Sequence, residues 1–317
     1  MDQRVPLGPA YDDVADTFLA LSQEDEEIAA RFKKKGLAGA IKRLIAQFNK
    51  NPESTCAVII NSQFNNTNAC KSEPDSPSFV LRVTLGVMLF DSEMRKMIPP
   101  IVYRLNRCAD EDLDVLKHFT QVNQNAITAD AEDKNYQSPL LNIVIYYSEM
   151  WQMSRLSMAE IKKRYADVLI SNIGLYSSME LYCTMEDSNP CNKFKSGKYD
   201  GTSILYDNDE YWNKRATIPT QASVLLLSSK LDEQTTNKYA EHLLNALKGN
   251  NKELIAFEHA TQGTIVSTPL IPGDPKSPIC GMELLVSYIK NGGNLERMDK
   301  SCVKKMPSLN MTIATGL

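Results

Sequence analysis

The sequence predicts an α/β protein in which a long helical region precedes a small parallel sheet. Two observations carry this prediction. Residues 221–228 are predicted to form a strand around the consecutive apolar residues Val224–Leu227, a pattern typical of a strand covered on both faces. A helical pattern at 236–248 and a second strand-like run at 252–258 follow. Strand, helix and strand within about thirty-five residues predict a right-handed parallel βαβ unit. A further helix is predicted at 278–291.

The region before the sheet, residues 1–215, is predicted to be mainly helical and to be followed by a C-terminal α/β region, 216–317. Residues 11–35 are predicted to form one amphipathic helix, because apolar residues recur there at near-helical spacing. Gly36 is predicted to end that helix, after a lysine triplet that complements the helix dipole. Further helices are predicted at 37–49, 79–90, 92–107, 110–127, 138–152 and 157–170, with irregular chain at 51–77 and 171–208.

Composition excludes several classes of function. The 317 residues are 43% hydrophobic and 23% charged, as in ordinary globular proteins. The net charge of −4 gives no electrostatic reason to expect a nucleic acid or an anionic membrane as a partner. No apolar run, Val224–Leu227 included, approaches the length needed to span a bilayer. No cysteine or histidine spacing indicates zinc, and no cofactor is predicted.

Four of the seven cysteines suggest local disulfides. Cys183 and Cys191 flank a short turn, and Cys280 and Cys302 bracket one predicted helix. These spacings favour the staples of a secreted fold, and the alternative is buried free thiols in a cytosolic protein. If both pairs form, the other three cysteines, which are Cys56, Cys70 and Cys108, leave one thiol unpaired.

Two N-x-S/T sequons, at Asn65 and Asn310, also favour an extracellular protein. The first residues lack the apolar segment of a signal peptide. We therefore expect the natural N-terminus of a secreted chain to lie upstream of Met1.

Three segments together resemble one known family. Ser223–Thr235 resembles a late strand and its acid-bearing loop, 257–264 resembles a histidine-bearing loop, and Cys280 to Cys302 resembles a closing helix and cysteine. The family is the tripeptidyl aminopeptidase-like branch of the prolyl aminopeptidase family, which are α/β-hydrolase serine peptidases. The resemblance is specific from about 216 to 306. The helical region 11–215 is similar, less distinctively, to the lid of that family.

The resemblance implies a partial α/β-hydrolase fold and a Ser-Asp-His triad in that chain order. Asp232 stands at the position of the acid, and Gln262 stands at the position of the histidine. Members of the family remove short N-terminal peptides or amino acids from polypeptides, typically outside the cell. The resemblance therefore implies a peptide substrate or ligand.

Two departures from the family predict that this chain is catalytically impaired. No G-x-S-x-G segment occurs, so no nucleophile is recognised. Gln262 has no nitrogen that titrates near neutral pH, so it cannot accept and return the proton of a serine. His259 lies three residues earlier, up to ~10 Å away, whereas proton transfer needs roughly 3 Å. We therefore predict that His259 does not replace the lost base.

Three functions remain open. The chain is predicted to be the C-terminal part of a serine peptidase and inactive alone. It is alternatively an incomplete sequence of a secreted peptidase, or a non-catalytic module that binds a peptide or a separate catalytic half. In each case the first strand of the βαβ unit is expected to expose an edge and an apolar patch where further strands would pair.

Overall fold

The computed structural model describes residues 7–62, 76–129, 163, 167–170, 210–211 and 214–312. The chain divides into two compact units. The first comprises Met1–Asp12, Ser22–Val87 and Met97–Asp207. The second comprises Asp13–Leu21, Met88–Lys96 and Asn208–Leu317. The second unit thus combines the C-terminal region with two short segments from the helical region.

Seven α-helices precede the sheet in the part of the chain that the structure describes. They are α1 (Leu7–Ser22), α2 (Glu26–Arg31), α3 (Gly36–Lys50), α4 (Thr55–Asn61), α5 (Pro77–Leu89), α6 (Ile98–Arg107) and α7 (Asp110–Ala129), with a 3₁₀ turn at Met94–Met97 before α6. The predicted helices at 37–49, 79–90 and 110–127 are confirmed as α3, α5 and α7. The predicted helix 138–152 and most of 157–170 and 171–208 lie outside the described residues.

The prediction of one helix over 11–35 was wrong. The helix breaks after Ser22, and α2 begins one residue after Asp25. The Asp25 carboxylate accepts hydrogen bonds from the backbone N–H groups of Glu27 and Ile28, at 3.0 and 3.1 Å. This N-cap satisfies amides that a continuous helix would have paired internally. Gly36 has the expected left-handed φ of 66°, but it begins α3.

Helix α4 lies within the segment 51–77 that was predicted to be irregular. Its four buried residues are Cys56, Ala57, Ile59 and Ile60. The helix has only seven residues and polar flanks, so it lacks the long periodic pattern by which a helix is recognised. A disulfide joins Cys56 to Cys108, directly after α6, with 6.2 Å between the Cα atoms. The pairing fixes α4 against the end of α6 within the first unit.

The second unit contains the predicted βαβ element. Strand β1 (Val224–Ser229) pairs in parallel with β2 (Lys252–Phe257), with Val224 opposite Lys252 and Ser229 opposite Phe257. Helix α8 (Asn237–Ala246) connects them. The sheet has these two strands in the described part of the chain, so the second edge of β1 has no strand neighbour there. The coarse α/β prediction is therefore confirmed.

A small core covers the sheet. It consists of the buried residues Ile255, Phe257, Ala260, Cys280, Leu284, Met298 and Cys302. Cys280 opens helix α9 (Cys280–Lys290), and Cys302 lies in a 3₁₀ turn at Ser301–Lys305. The predicted disulfide between them is present, with 5.4 Å between the Cα atoms. The covalent link thus lies inside the apolar core of the second unit. Cys70, Cys183 and Cys191 fall outside the described residues.

Removal of the core disulfide is expected to destabilise the second unit. The link closes a loop with a sequence separation of 22 residues. Replacing both Cys280 and Cys302 by Ala should lower the free energy of unfolding by about 2–4 kcal/mol, because the unfolded chain regains loop entropy. Urea titration without reductant measures this change. The paired replacement of Cys56 and Cys108 is the matched control. It removes the disulfide of the first unit, so the amide hydrogen exchange of β1 and β2 in the second unit should be unchanged.

Each helix in the described part of the chain is too short or too polar to span a lipid bilayer.

Candidate functional site

The loops that follow β1 and β2 meet at one edge of the sheet, because the strands are parallel. In α/β proteins this carboxyl edge is where ligands usually bind. The backbone N–H of Lys230 donates to the carbonyl of Phe257 at 2.9 Å. The Ser229 hydroxyl donates to the carbonyl of Ala260 at 2.6 Å. The two loops are therefore tied to each other where each leaves the sheet.

Asp232, at the predicted acid position, is buried in the first of these loops. Its Oδ1 accepts hydrogen bonds from the backbone N–H groups of Gln234, at 3.0 Å, and Thr235, at 2.8 Å. Its Oδ2 accepts one from the Thr235 hydroxyl at 2.7 Å. All three bonds stay within the loop that leads into α8. Both carboxylate oxygens thus hold the shape of their own turn.

Gln262, at the position of the lost histidine, is exposed in the loop after β2. Among the described residues, no hydrogen bond joins its side chain to Asp232. The two strands bring the predicted acid and base positions to the same edge of the sheet. The described contacts do not couple them as a catalytic pair.

His259 is half-buried and also makes no hydrogen bond or ion pair with Asp232 in the described region. Its backbone carbonyl accepts a hydrogen bond from Arg95 Nη2 at 2.5 Å. Burial, and then the nearby Arg95 guanidinium, lower the pKa of the His259 imidazole, while Glu258 opposes this effect. Both effects disfavour the charged imidazolium form.

Arg95 and Glu233 are the most unusual polar residues at this edge. Arg95 lies in the 3₁₀ turn before α6 and is 4% exposed, and Glu233 follows Asp232 and is 3% exposed. Arg95 Nε and Nη1 and both carboxylate oxygens of Glu233 are buried without a hydrogen-bond partner. Buried polar groups in folded proteins are nearly always hydrogen-bonded. Four unsatisfied atoms on two residues therefore need a physical explanation.

Burial, and then the negative charge of Asp232, raise the pKa of Glu233 to about 7. Its own backbone N–H, the Arg95 guanidinium and the Gln234 side chain act in the opposite direction. The backbone N–H of Glu233 and the side chain of Gln234 approach the carboxylate without reaching hydrogen-bond geometry. Glu233 is thus a carboxyl group that exchanges a proton near neutral pH. Such shifted pKa values concentrate at functional sites.

Neither residue stands out in the sequence. Arg95 reaches the edge from a position 164 residues before His259, and no local motif surrounds it. Glu233 follows an acidic residue at the start of a polar loop, as many surface carboxylates do. The one feature of the sequence that could have indicated Glu233 is its position directly after Asp232, the predicted acid at the end of a buried strand.

The described residues at this edge offer proton exchange and charge, and no activated nucleophile is found among them. The Ser229 hydroxyl is fully buried and donates to a backbone carbonyl. The described residues include no group of three or more histidine, cysteine or acidic side chains that could hold a metal ion. Glu233 could accept or donate a proton at neutral pH, and Arg95 could stabilise a negative charge.

Comparison with models of known protein families, with curated proteins and with solved structures gives no match for this chain. The α/β class therefore rests on the parallel βαβ unit itself. The peptidase resemblance stays a prediction.

The sequon at Asn310 lies on the surface. Asn310 is exposed, and its Oδ1 accepts a hydrogen bond from the backbone N–H of Thr312 at 2.8 Å. The intervening Met311 is 8% exposed. The second sequon, at Asn65, lies outside the described residues.

Proposed function

We propose that this chain derives from a serine peptidase of the α/β-hydrolase fold and does not hydrolyse peptide bonds by itself. The parallel pair of strands supports the derivation, with Asp232 after one strand and Gln262 after the other. The disulfide between Cys280 and Cys302 supports it as well. The expected chain order of acid and base positions is retained around a genuine βαβ unit.

The bonding of Asp232 carries the proposal that the chain is inactive. In a working triad the acid accepts a hydrogen bond from the histidine and holds its tautomer. Here both oxygens are engaged by Gln234 and Thr235, and the base position carries an exposed amide. An amide cannot shuttle a proton at neutral pH. Loss of triad members lowers the rate by about 10³- to 10⁶-fold.

An activity assay on the purified chain tests this proposal. We expect no turnover of aminoacyl or tripeptidyl chromogenic substrates and no labelling by a fluorophosphonate probe, because the sequence contains no G-x-S-x-G segment that would activate a serine. The Gln262→His variant should be equally inactive, since an imidazole alone supplies no nucleophile. An active serine peptidase labelled in parallel verifies the probe.

Labelling of one serine, together with turnover that the Asp232→Asn variant loses, would overturn the proposal. Asparagine keeps the Oδ1 acceptor for the amides of Gln234 and Thr235. Because the turn is kept, a loss of turnover in this variant would be due to the missing negative charge and not to a disrupted loop.

The disulfides support an extracellular or otherwise oxidising location. All four cysteines in the described residues are paired. Oxidised pairs persist mainly in secreted and lumenal proteins. The alternative of buried free thiols is thus disfavoured for Cys56, Cys108, Cys280 and Cys302.

A non-catalytic binding module is the second candidate function. The observation that favours it is the pair of buried, unsatisfied charged residues, Arg95 and Glu233, at the carboxyl edge of the sheet. A ligand would satisfy atoms that the described part of the chain leaves without partners.

A further inference from the structure

We propose that Arg95 and Glu233 form a binding site for a small zwitterion of the α-amino acid class. The site lies at the carboxyl ends of β1 and β2, within the second unit. The proposal concerns ligand binding alone, and it stands whether or not the chain hydrolyses peptides.

The first argument is the cost of burial. Nε and Nη1 of Arg95 and Oε1 and Oε2 of Glu233 are shielded from solvent and have no hydrogen-bond partner. A buried polar atom without a partner costs about 1–3 kcal/mol, and a charged one costs more. Four such atoms together are a large destabilisation for one small unit. A bound molecule that supplies partners would remove most of it.

The second argument is that the two residues do not satisfy each other. No guanidinium nitrogen of Arg95 lies within 4.0 Å of a Glu233 oxygen, although their charges interact. A direct ion pair would have been the simplest way to bury both charges. The separation instead leaves each charge available to a group of opposite sign.

The third argument is charge complementarity. Arg95 presents hydrogen-bond donors with a positive charge, and Glu233 presents acceptors with a negative charge when it is ionised. A simple anion would satisfy Arg95 and leave Glu233 unpaired, and a simple cation would do the reverse. A molecule with a carboxylate and an ammonium group satisfies both through charge-assisted hydrogen bonds. An α-amino acid carries these two groups on one carbon atom, which suits two residues at one edge of a small sheet.

The fourth argument is that the surrounding contacts position both residues. The bond from Arg95 Nη2 to the His259 carbonyl orients the guanidinium and leaves Nε and Nη1 for a ligand. The turn held by Asp232 fixes the backbone next to Glu233. The Thr236 hydroxyl, on a residue 3% exposed, is also without a partner. It offers a further donor or acceptor at the start of α8.

Proton linkage supports the same assignment. An ammonium group beside Glu233 would lower the pKa of its carboxyl group from about 7. Binding should therefore release a proton near and below pH 7, and affinity should fall as the pH drops below that value. A ligand that touched Arg95 alone would not release this proton.

Calorimetric titration of the full chain with glycine and the common L-amino acids tests the proposal. We expect at least one of them to bind with proton release. The Arg95→Lys and Glu233→Gln variants should each weaken binding about ten- to a hundred-fold, as expected for a lost hydrogen bond to a charged group. Glu258→Gln is the matched control, because the Glu258 carboxylate is solvent-exposed and paired with Lys230. It should leave the affinity unchanged.

Derivatives of the best ligand keep the test valid if a variant does not fold. N-acetylation removes the ammonium charge and amidation removes the carboxylate, so each should abolish binding to the unmodified chain. Failure of every amino acid to bind would overturn the proposal. Equal binding of the derivatives would overturn it too. So would acetate binding that is indifferent to Glu233→Gln, because that outcome identifies a plain anion site.

Discussion

Replacing Glu233 by Gln should remove a pH-dependent loss of stability on the order of 3 kcal/mol. Burial raises the pKa of Glu233 from 4.5 to about 7 in the folded chain. Below pH 4.5 the group is protonated in both states, so it contributes no penalty. Between these values the unfolded chain releases the proton while the folded chain retains it, so the free energy of unfolding falls as the pH rises. The slope is about 1.4 kcal/mol per pH unit, and above pH 7 the full penalty remains.

Urea unfolding of both proteins from pH 4 to pH 8, followed by circular dichroism, measures this difference. The Glu233→Gln variant should gain stability relative to the parent as the pH rises through this window, and the gain should level off above pH 7. Glu258→Gln serves as the control, since that carboxylate is exposed beside Lys230. Parallel stability curves for the Glu233 variant and the parent protein would contradict the assignment of a buried, unsatisfied carboxyl group.

Replacing Gly281 by Ala should destabilise the second unit by about 3 kcal/mol or more. A methyl group at this position would lie 2.7 Å from the Cα of Ile265 and closer still to the carbonyl oxygen of Thr264. Both are backbone atoms, which cannot move aside as a flexible side chain can. Overpacking of this kind costs about 1–3 kcal/mol and sometimes more. Because alanine favours helices over glycine by about 1 kcal/mol, a net loss would isolate the steric effect.

Thermal and urea unfolding compare this variant with Gly292→Ala. Gly292 has a φ of 61° and no heavy atom within 4 Å of an added methyl group. Its replacement should cost only about 1–2 kcal/mol of backbone strain. If both variants lose the same stability, the close approach of α9 to the loop after β2 does not determine the packing there.

The sheet could be predicted from sequence because its signal is both local and strong. The apolar run that begins β1 and the helical pattern of α8 leave little choice of structure, and the strand bounds agree within three residues. Asp232 could be located in the same way, because a residue directly after a buried strand lies at a known edge of the sheet. The break between α1 and α2 and the short helix α4 were harder to predict. Asp25 caps the start of α2 within a periodicity that otherwise looks like one helix, and α4 is too short to show a periodic pattern.

The candidate binding residues could not be predicted, since they depend on contacts between distant segments. Arg95 joins the C-terminal unit through the segment Met88–Lys96, which the sequence assigns to the helical region. No periodicity or spacing reports a contact across 164 residues. The same holds for the unsatisfied state of Glu233, because burial of a loop carboxylate follows from what surrounds it in three dimensions.

The bonding of Asp232 within its own turn has a consequence for how genetic variants at this position should be interpreted. A residue that fastens a loop contributes to protein abundance, because even a modest loss of stability exposes a chain to proteolysis in the cell. An allele that replaces Asp232 would therefore lower the quantity of the protein, whether or not the residue takes part in any chemistry. The amount of the variant protein, measured by immunoblotting, should therefore be compared with the phenotype of the allele.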